Sequence, residues 1–281
     1  MATITAADVK KLRDRTNAPM MDCKAALEQA GGDMDKAMQI LREKNAKIQV
    51  AKAEREVAEG RIAIHLAPQQ QAAAMVELRC ESAPVAKNQV FVDLAQALAR
   101  HIALTPAQAD TVEALLAQPW IDDPQRTVRD RIGEAVGLIR ENMKPARFLR
   151  LSGGQFGEYV HHDGSVGVLI QVEGMAPADP QLLRNICMHI TAKQPLYIRR
   201  EEVDAATVER EREIARNQAA ATGKPPSVAE KIAEGKLNTW FAENVLVEQP
   251  FLKDESKTVG QLLQAAGLTV KRFVRFKVGE K

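Results

Sequence analysis

Aromatic side chains are scarce in this chain. Phe, Trp and Tyr make up 4% of its 281 residues. Any core must therefore be assembled mainly from Ala, Leu, Ile, Val and Met, within a hydrophobic share of 45%. Cysteine is almost as rare: Cys23, Cys80 and Cys187 stand far apart with no CxxC pair. That spacing excludes a disulfide framework, and each is expected to pack as a small hydrophobe in a reducing cytoplasm. No apolar run approaches the ~20 residues needed to span a bilayer. The opening segment MATITAADVKKL has no signal-peptide apolar block. Neither sign of charge dominates, since the net charge is +2 with 27% charged residues. This argues against bulk attraction to nucleic acid or to an anionic membrane and leaves room only for local basic patches. The expected reading is a cytoplasmic protein with no direct nucleic-acid or membrane partner.

Reactive constellations are missing too. Of the five histidines, His65, His101, His161, His162 and His189, none has a cysteine or carboxylate at metal-ligand spacing, and HExxH does not occur. Gly153-Gly154 lacks the following GK[ST] of a phosphate-cradling loop, and there is no GxSxG elbow. Glu201-Glu202 lies in strongly polar sequence and reads as solvated. His101 and His189 lie late on amphipathic helices and read as satisfied structural histidines, whereas His161-His162 precedes a tight turn and is a candidate for a contact. The expectation is no catalytic residue, no metal and no cofactor: a protein that acts by binding.

What is present is organised. Thr5 and Asp8 form an N-terminal capping pattern before Val9 and Leu12. Cys23, Ala26, Leu27 and Ala30 repeat at helical spacing, Gly31-Gly32 ends that helix, and Asp33 caps a third carrying Met34, Ala37, Met38 and Leu41. Met20 and Met21 fall between the first two helices, on an expected loop. Two adjacent soft apolar side chains there suit docking onto a partner helix; filling the module's own small core fits the spacing equally well. The polar run Lys44–Glu59 reads as a solvated helical connector.

Beyond it, Ile62, Ile64 and Leu66 alternate with Arg61, Ala63 and His65, and Ala74, Val76, Leu78 and Cys80 alternate again, predicting two half-buried strands about a turn at Pro68–Gln71. The loop ESAPVAKN follows, then a helix through Phe91, Leu94, Leu98 and Ile102, one opened by Thr105-Pro106, and one after Asp123-Pro124. Strand pair, Pro-containing loop and helix then recur. Phe156–His162 and Ser165–Glu173 flank Asp163-Gly164, a hairpin signal, and the helix with NICMHITA matches the earlier ALARHIAL. This is read as a degenerate internal duplication. Residues 204–241 read as two helices joined by TGKPP, an antiparallel hairpin with a thin apolar seam. It either meets a partner, self-association included, or is a surface insertion without a binding role. A capped helix ending at Gly267 and a strand through Val270–Val278 close the chain. The fold class is α+β: a three-helix module at 1–46, a helical linker at 47–59, then a duplicated core of antiparallel strands packed with helices. The halves of that core run 60–145 and 146–281, the second carrying the protruding hairpin.

The three-helix module resembles the ubiquitin-associated fold. Over nearly its whole length the chain resembles the elongation factor Ts family of bacteria and organelles. The blocks come in the family order: LRDRTNAPMMDCKAAL at 12–27, ELRCESAPVAKN at 77–88, YVHHDGSVGVLI, CMHITAKQPLYI, GKPPSVAEKIAEGK, QPF, KTVGQLL and VRFKVGE. The resemblance implies a guanine-nucleotide exchange factor that binds elongation factor Tu, in its GDP-bound and nucleotide-free states, and promotes GDP release so that GTP can rebind. Arg13, Met20, Met21 and Lys24 match family positions at or near the docking contact, and Ser82, Ala83, Pro84, Val85 and His161 match family contacts of the core.

Two departures stand out. Pro19 occupies a position where the family usually has Gly or Ser. The family's second signature normally reads Thr-Asp-Phe-Val-(Ser/Ala)-Lys, its phenylalanine a wedge inserted near the partner's magnesium site; this chain has Ser82, Ala83, Pro84, Val85, Ala86 and Lys87 there. Pro84 is expected to hold that loop stiff and extended. Three readings stay open: a different wedge with a matching partner, weaker exchange, or an adaptor that binds elongation factor Tu without accelerating exchange.

Overall fold

The computed structural model describes residues 4–107, 109–221, 223 and 225–280. Contacts divide the chain into two units. The first takes in the chain up to Ser152, Val160–Gly167 and the segment from Phe276 onward; the second takes in Gly153–Tyr159 and Val168–Arg275. Among the described residues no helix is long and apolar enough to cross a membrane.

The first unit opens on α1 (Ala6–Thr16), α2 (Met20–Gln29) and α3 (Met34–Lys52). Thr5 and Asp8 form the expected reciprocal capping box, and the Asp33 carboxylate accepts the N–H groups of Asp35 and Lys36. Leu12, Cys23, Leu27, Ala37 and Leu41 close a small core between the three helices. The polar sequence after Glu43 does not interrupt α3, which continues to Lys52.

Next come β1 (Glu59–Ala67), a short 3-10 turn, β2 (Ala72–Cys80), α4 (Ala83–Ala86), α5 (Gln89–Leu104), α6 (Val112–Ala117), β3 (Pro119–Trp120), β4 (Asp123–Thr127), α7 (Val128–Ile139) and β5 (Met143–Ser152). β2 lies between β1 and β5 in an antiparallel sheet. Helix α5 packs on the face bearing Ala63, Ala74, Val76 and Leu78, where small residues on β1 allow close approach. Ile62 and Ile64 point to the other face and are buried as well, so β1 is covered on both sides rather than half-buried. β5 has no counterpart in the sequence reading. Its arginines break the alternation, and Pro145 would be excluded from a central strand; at the sheet's edge, beside a register shift, it is tolerated. The helix expected from Thr105-Pro106 starts instead at Val112. Thr105 is the extended residue ending α5, and the Thr111 hydroxyl accepts the Ala114 N–H. Helix α7 lies against α3 so closely that a Cβ at Gly137 would stand 2.1 Å from Asn45 Oδ1.

The second unit holds β6 (Gln155–Val160), β7 (Val166–Glu173), α8 (Pro180–Lys193), α9 (Ala205–Ala220), α10 (Pro226–Asn244), β8 (Pro250–Phe251), β9 (Asp254–Thr258), α11 (Val259–Ala265) and β10 (Thr269–Lys277). β7 is central between β6 and β10. The ends of these strands at Val160, at Val166–Gly167 and from Phe276 group with the first unit. Helix α8 covers Val168, Ile170 and Val172 with Leu183, Ile186, Cys187 and Ile190. The α9–α10 hairpin meets along Ala215, Ala219 and Ala233, a seam with little apolar bulk. Of its expected TGKPP turn, Thr222 and Lys224 lie outside the described residues.

Each half of the core contains the same local device. On α5, His101 Nε2 lies 3.0 Å from Gln118 Oε1, its Nδ1 accepts the Ile121 N–H, and its ring stacks on Trp120. On α8, His189 Nε2 lies 2.8 Å from Gln249 Oε1, its Nδ1 accepts the Leu252 N–H, and its ring stacks on Phe251. Each glutamine's carbonyl receives the first N–H of the following helix, Val128 or Val259, and each helix starts with a capping box, Thr127–Asp130 or Thr258–Gln261. Both histidines are fully buried and satisfied, as the sequence pattern suggested. The duplication is therefore a matter of hydrogen bonding, carried by more than the shared His-Ile pair.

Candidate functional site

The nine candidate residues all belong to the first unit, in three places. Arg13, Met20, Met21 and Lys24 lie on α1 and α2. The turn between those helices is built by backbone chemistry. Asn17 adopts a left-handed conformation at φ 51° and its N–H returns to the Arg13 carbonyl at 2.7 Å. The Thr16 hydroxyl donates to the Leu12 carbonyl and accepts the Ala18 N–H. Pro19, extended at φ −55° and ψ 140°, precedes the first helical residue of α2, and its carbonyl accepts the Cys23 N–H. Glycine's freedom is not needed at this φ, which accounts for Pro19 fitting here.

Met20 and Met21 therefore occupy the first turn of α2 and not a loop. They are 48% and 71% exposed, and the core of the module closes without them. Core filling, the competing role for these side chains, is not what they do. Asp22, next to them, is held by Lys44 of α3 at 2.8 Å and by Arg140 at 3.3 Å. Lys24 reaches Glu28 at 3.8 Å in an exposed i,i+4 pair of small energetic weight. Beside the turn, an open groove of about 520 Å³ is lined by Arg13, Arg15, Pro19, Arg131, Glu134 and Leu138. Its mouth is polar and wide, more like a surface for another macromolecule than an enclosed pocket for a small ligand.

Ser82–Val85 form the second place. The expected extended loop is a single helical turn: Ala83–Ala86 are α4, with Pro84 inside the first turn, where a missing N–H does no harm. Ala83 and Pro84 are exposed, Ser82 and Val85 half-buried, and Val85 packs against the core beneath α5. The Ser82 side chain does not cap the helix. Instead its hydroxyl donates to Glu141 Oε1 at 2.6 Å and its N–H to Glu141 Oε2 at 3.0 Å. The Ser82 carbonyl accepts the Ala86 N–H and the Cys80 thiol. Burial, with the nearby Glu141 charge second, pushes the Cys80 pKa up to about 12, so the sulfur stays a thiol and serves as donor. Neighbouring Asn142, itself buried, donates its N–H to Glu81 Oε1 and its side-chain amide to the carbonyls of Ala53 and Arg55.

His161 is the third place, at the end of the β6 strand and half-buried, its ring 4.4 Å from that of His162. Its N–H donates to Val166 and its carbonyl accepts the Gly164 N–H, while Asp163 accepts both the N–H and the hydroxyl of Ser165. The Ser165 backbone bond is the chief reason the Asp163 pKa is lowered. Among the described residues no group of three His, Cys, Asp or Glu side chains could hold a metal ion. No local sequence pattern marks Asp22, Glu141 or Asn142. Only their contacts mark them, with partners as far as 118 positions away in the chain.

Residues 81–280 match the family model described as Elongation factor TS. Proteins of that name from Aquifex aeolicus (41% identical, 97% of each chain), Thermobifida fusca (41%, all of each chain) and Thiobacillus denitrificans (43%, all of this chain and 93% of the relative) are similar along the full sequence. The α+β chain is thus a translation elongation factor. More narrowly, it belongs to the elongation factor Ts family.

Proposed function

We propose that this chain is a guanine-nucleotide exchange factor: it binds elongation factor Tu and promotes release of GDP so that GTP can rebind. The observation that carries this reading is the pair Met20 and Met21, side by side and exposed on the first turn of α2 while the small core beneath them is complete. Methionines left outside a finished core are adaptable apolar contacts for a partner helix. Family membership supplies the identity of the partner. In this reading Arg13 and Lys24 flank the methionines at the docking contact. Ser82, Ala83, Pro84, Val85 and His161 reach the partner's nucleotide site.

The mechanism needs no bond made or broken by this chain. A factor that binds the nucleotide-free partner better than the nucleotide-bound one must, by linkage, weaken the nucleotide by the same factor. GDP leaves faster and GTP, in excess, refills the emptied site. Magnesium and nucleotide belong to the partner. The place of action in this reading is the cytoplasm.

The test is stopped-flow release of a fluorescent GDP analogue from the cognate elongation factor Tu. The off-rate is expected to rise with the concentration of this protein and to saturate. An off-rate unchanged at saturating dose overturns the reading. A second reading rests on one observation: Ala83 and Pro84 stand where the family has Asp and Phe, so the chain would bind as an adaptor. Tight binding without faster release selects it.

A further inference from the structure

The segment between α7 and β5 grips several parts of the first unit at once. Arg140 ends α7 in a left-handed conformation at φ 67° and pairs with Asp22, next to Met21. Glu141 takes both the hydroxyl and the N–H of Ser82 in a bidentate clamp. Asn142 ties the end of α3, through the Ala53 and Arg55 carbonyls, to Glu81. Three consecutive side chains thus reach the first turn of α2, the residue before α4, and the end of the helix that leaves the N-terminal module.

These bonds differ in strength. The Arg140–Asp22 pair is 48% and 21% exposed and contributes little. The Glu141–Ser82 pair is partly buried, short and charge-assisted, the strongest kind of hydrogen bond available here. Helix α4 is one turn long and cannot hold its own shape. Its orientation therefore comes from anchors at its ends: Val85 and Ala86 in the core, and Ser82 on Glu141.

We infer that Glu141 is a positioning residue for exchange: its carboxylate sets the orientation of the Ala83–Pro84 turn, and through that the rate of nucleotide release, without itself touching the partner. The inference rests on the exchange reading above. In this chain the turn lacks the family's aromatic wedge, so a small rigid tip must be held accurately to press on anything. Orientation by the clamp compensates for the missing bulk.

The experiment compares the wild-type chain with Glu141→Ala and Glu141→Gln, all full length. The first readout is amide hydrogen exchange of Ser82, bonded to Glu141, and of Ala86, bonded to the Ser82 carbonyl, in the free protein. Loss of a charge-assisted clamp should speed exchange there by about tenfold in Glu141→Ala, with the amides of β1 and β2 unchanged. The second is the GDP release rate at saturating factor beside the affinity for nucleotide-free elongation factor Tu. Glu141→Ala is expected to lower the saturated rate about tenfold while affinity moves less than about threefold. Glu141→Gln, whose amide can still accept the Ser82 N–H and donate to its hydroxyl, should retain most of the rate; if the alanine variant folds poorly, Glu141→Asp, whose shorter carboxylate weakens the clamp while keeping the charge, takes its place and should lower the saturated rate in the same direction.

A saturated rate that stays within about twofold of wild type in Glu141→Ala overturns the inference, as do unchanged amides at Ser82 and Ala86 or a parallel fall in rate and affinity. Failure of the wild-type chain to accelerate release at all sinks the exchange reading and this inference with it. Wild-type acceleration that survives Glu141→Ala sinks the inference alone.

Discussion

His189 Nδ1 accepts the backbone N–H of Leu252 at 3.2 Å, which leaves Nε2 as the protonated nitrogen, donating to Gln249 Oε1 at 2.8 Å. The geometry selects one neutral tautomer, because a proton on Nδ1 would face the Leu252 N–H. His101 is held in the same way by Ile121 and Gln118.

This arrangement sets a pH dependence. Burial, the leading cause, holds both imidazoles below their ordinary value of 6.5, with the glutamine bonds opposing it and Lys193 assisting at His189. The unfolded chain therefore binds more protons than the folded one below pH 6.5. Stability from these sites is full above that value and declines as pH falls beneath it. Each histidine contributes a slope of at most ~1.4 kcal/mol per pH unit. Thermal unfolding followed from pH 7.5 to 5 should show a falling Tm, with a flatter profile in His101→Gln/His189→Gln. Equal slopes in variant and wild type would assign the dependence to other groups.

Replacing Met20 and Met21 together by Ala should weaken binding to elongation factor Tu about tenfold or more, since exposed apolar anchors carry a disproportionate share of interface energy. The fold should barely respond, within ~0.5 kcal/mol, because neither side chain contributes to the core of the module. Calorimetric titration beside thermal unfolding checks both halves, and undiminished affinity removes the methionines from the contact.

Changing Ala83→Asp and Pro84→Phe together restores the family's residues at the exposed tip of α4. The saturated GDP release rate should then change more than the affinity, as expected of contacts made mainly in the rate-limiting state. A release rate indistinguishable from wild type means that this turn does not act on the nucleotide site.

Gly157 on β6 tests the packing of the second unit. A Cβ there would stand 2.4 Å from Leu183 Cβ and 3.1 Å from Ile170 Cγ2. Helix α8 lies directly on the strand, so Gly157→Ala should cost about 1–3 kcal/mol through forced displacement. Denaturant unfolding measures this, and a midpoint shifted by less than the error of the method would mean that α8 gives way freely.

Much of this architecture was legible because it is local. The Thr5–Asp8 box, the Asp33 cap, the Asp163-Gly164 turn and the late histidines each announce themselves within a few residues, and each forms as the pattern suggests. Of the proposed partner contacts, the adjacent methionines suggest docking from their own chemistry, whereas the Ser-Ala-Pro-Val turn is nominated by family resemblance alone. β5 and α4 were not legible. A strand containing Pro145 depends on a neighbour that tolerates it, and a one-turn helix depends on anchors elsewhere.

By itself, the order of residues determined where helices are capped, which strands can pair through a tight turn, that the core is a duplicated α+β array, and to which family the chain belongs. Each of these follows from neighbours within a turn or a strand, or from motifs in order. Tertiary structure alone decided that Met20 and Met21 remain outside the core, that β1 is buried on both faces, and that Glu141 holds Ser82 from 59 positions away. Those outcomes depend on which side chains meet after the chain closes on itself, and no local spacing encodes that meeting.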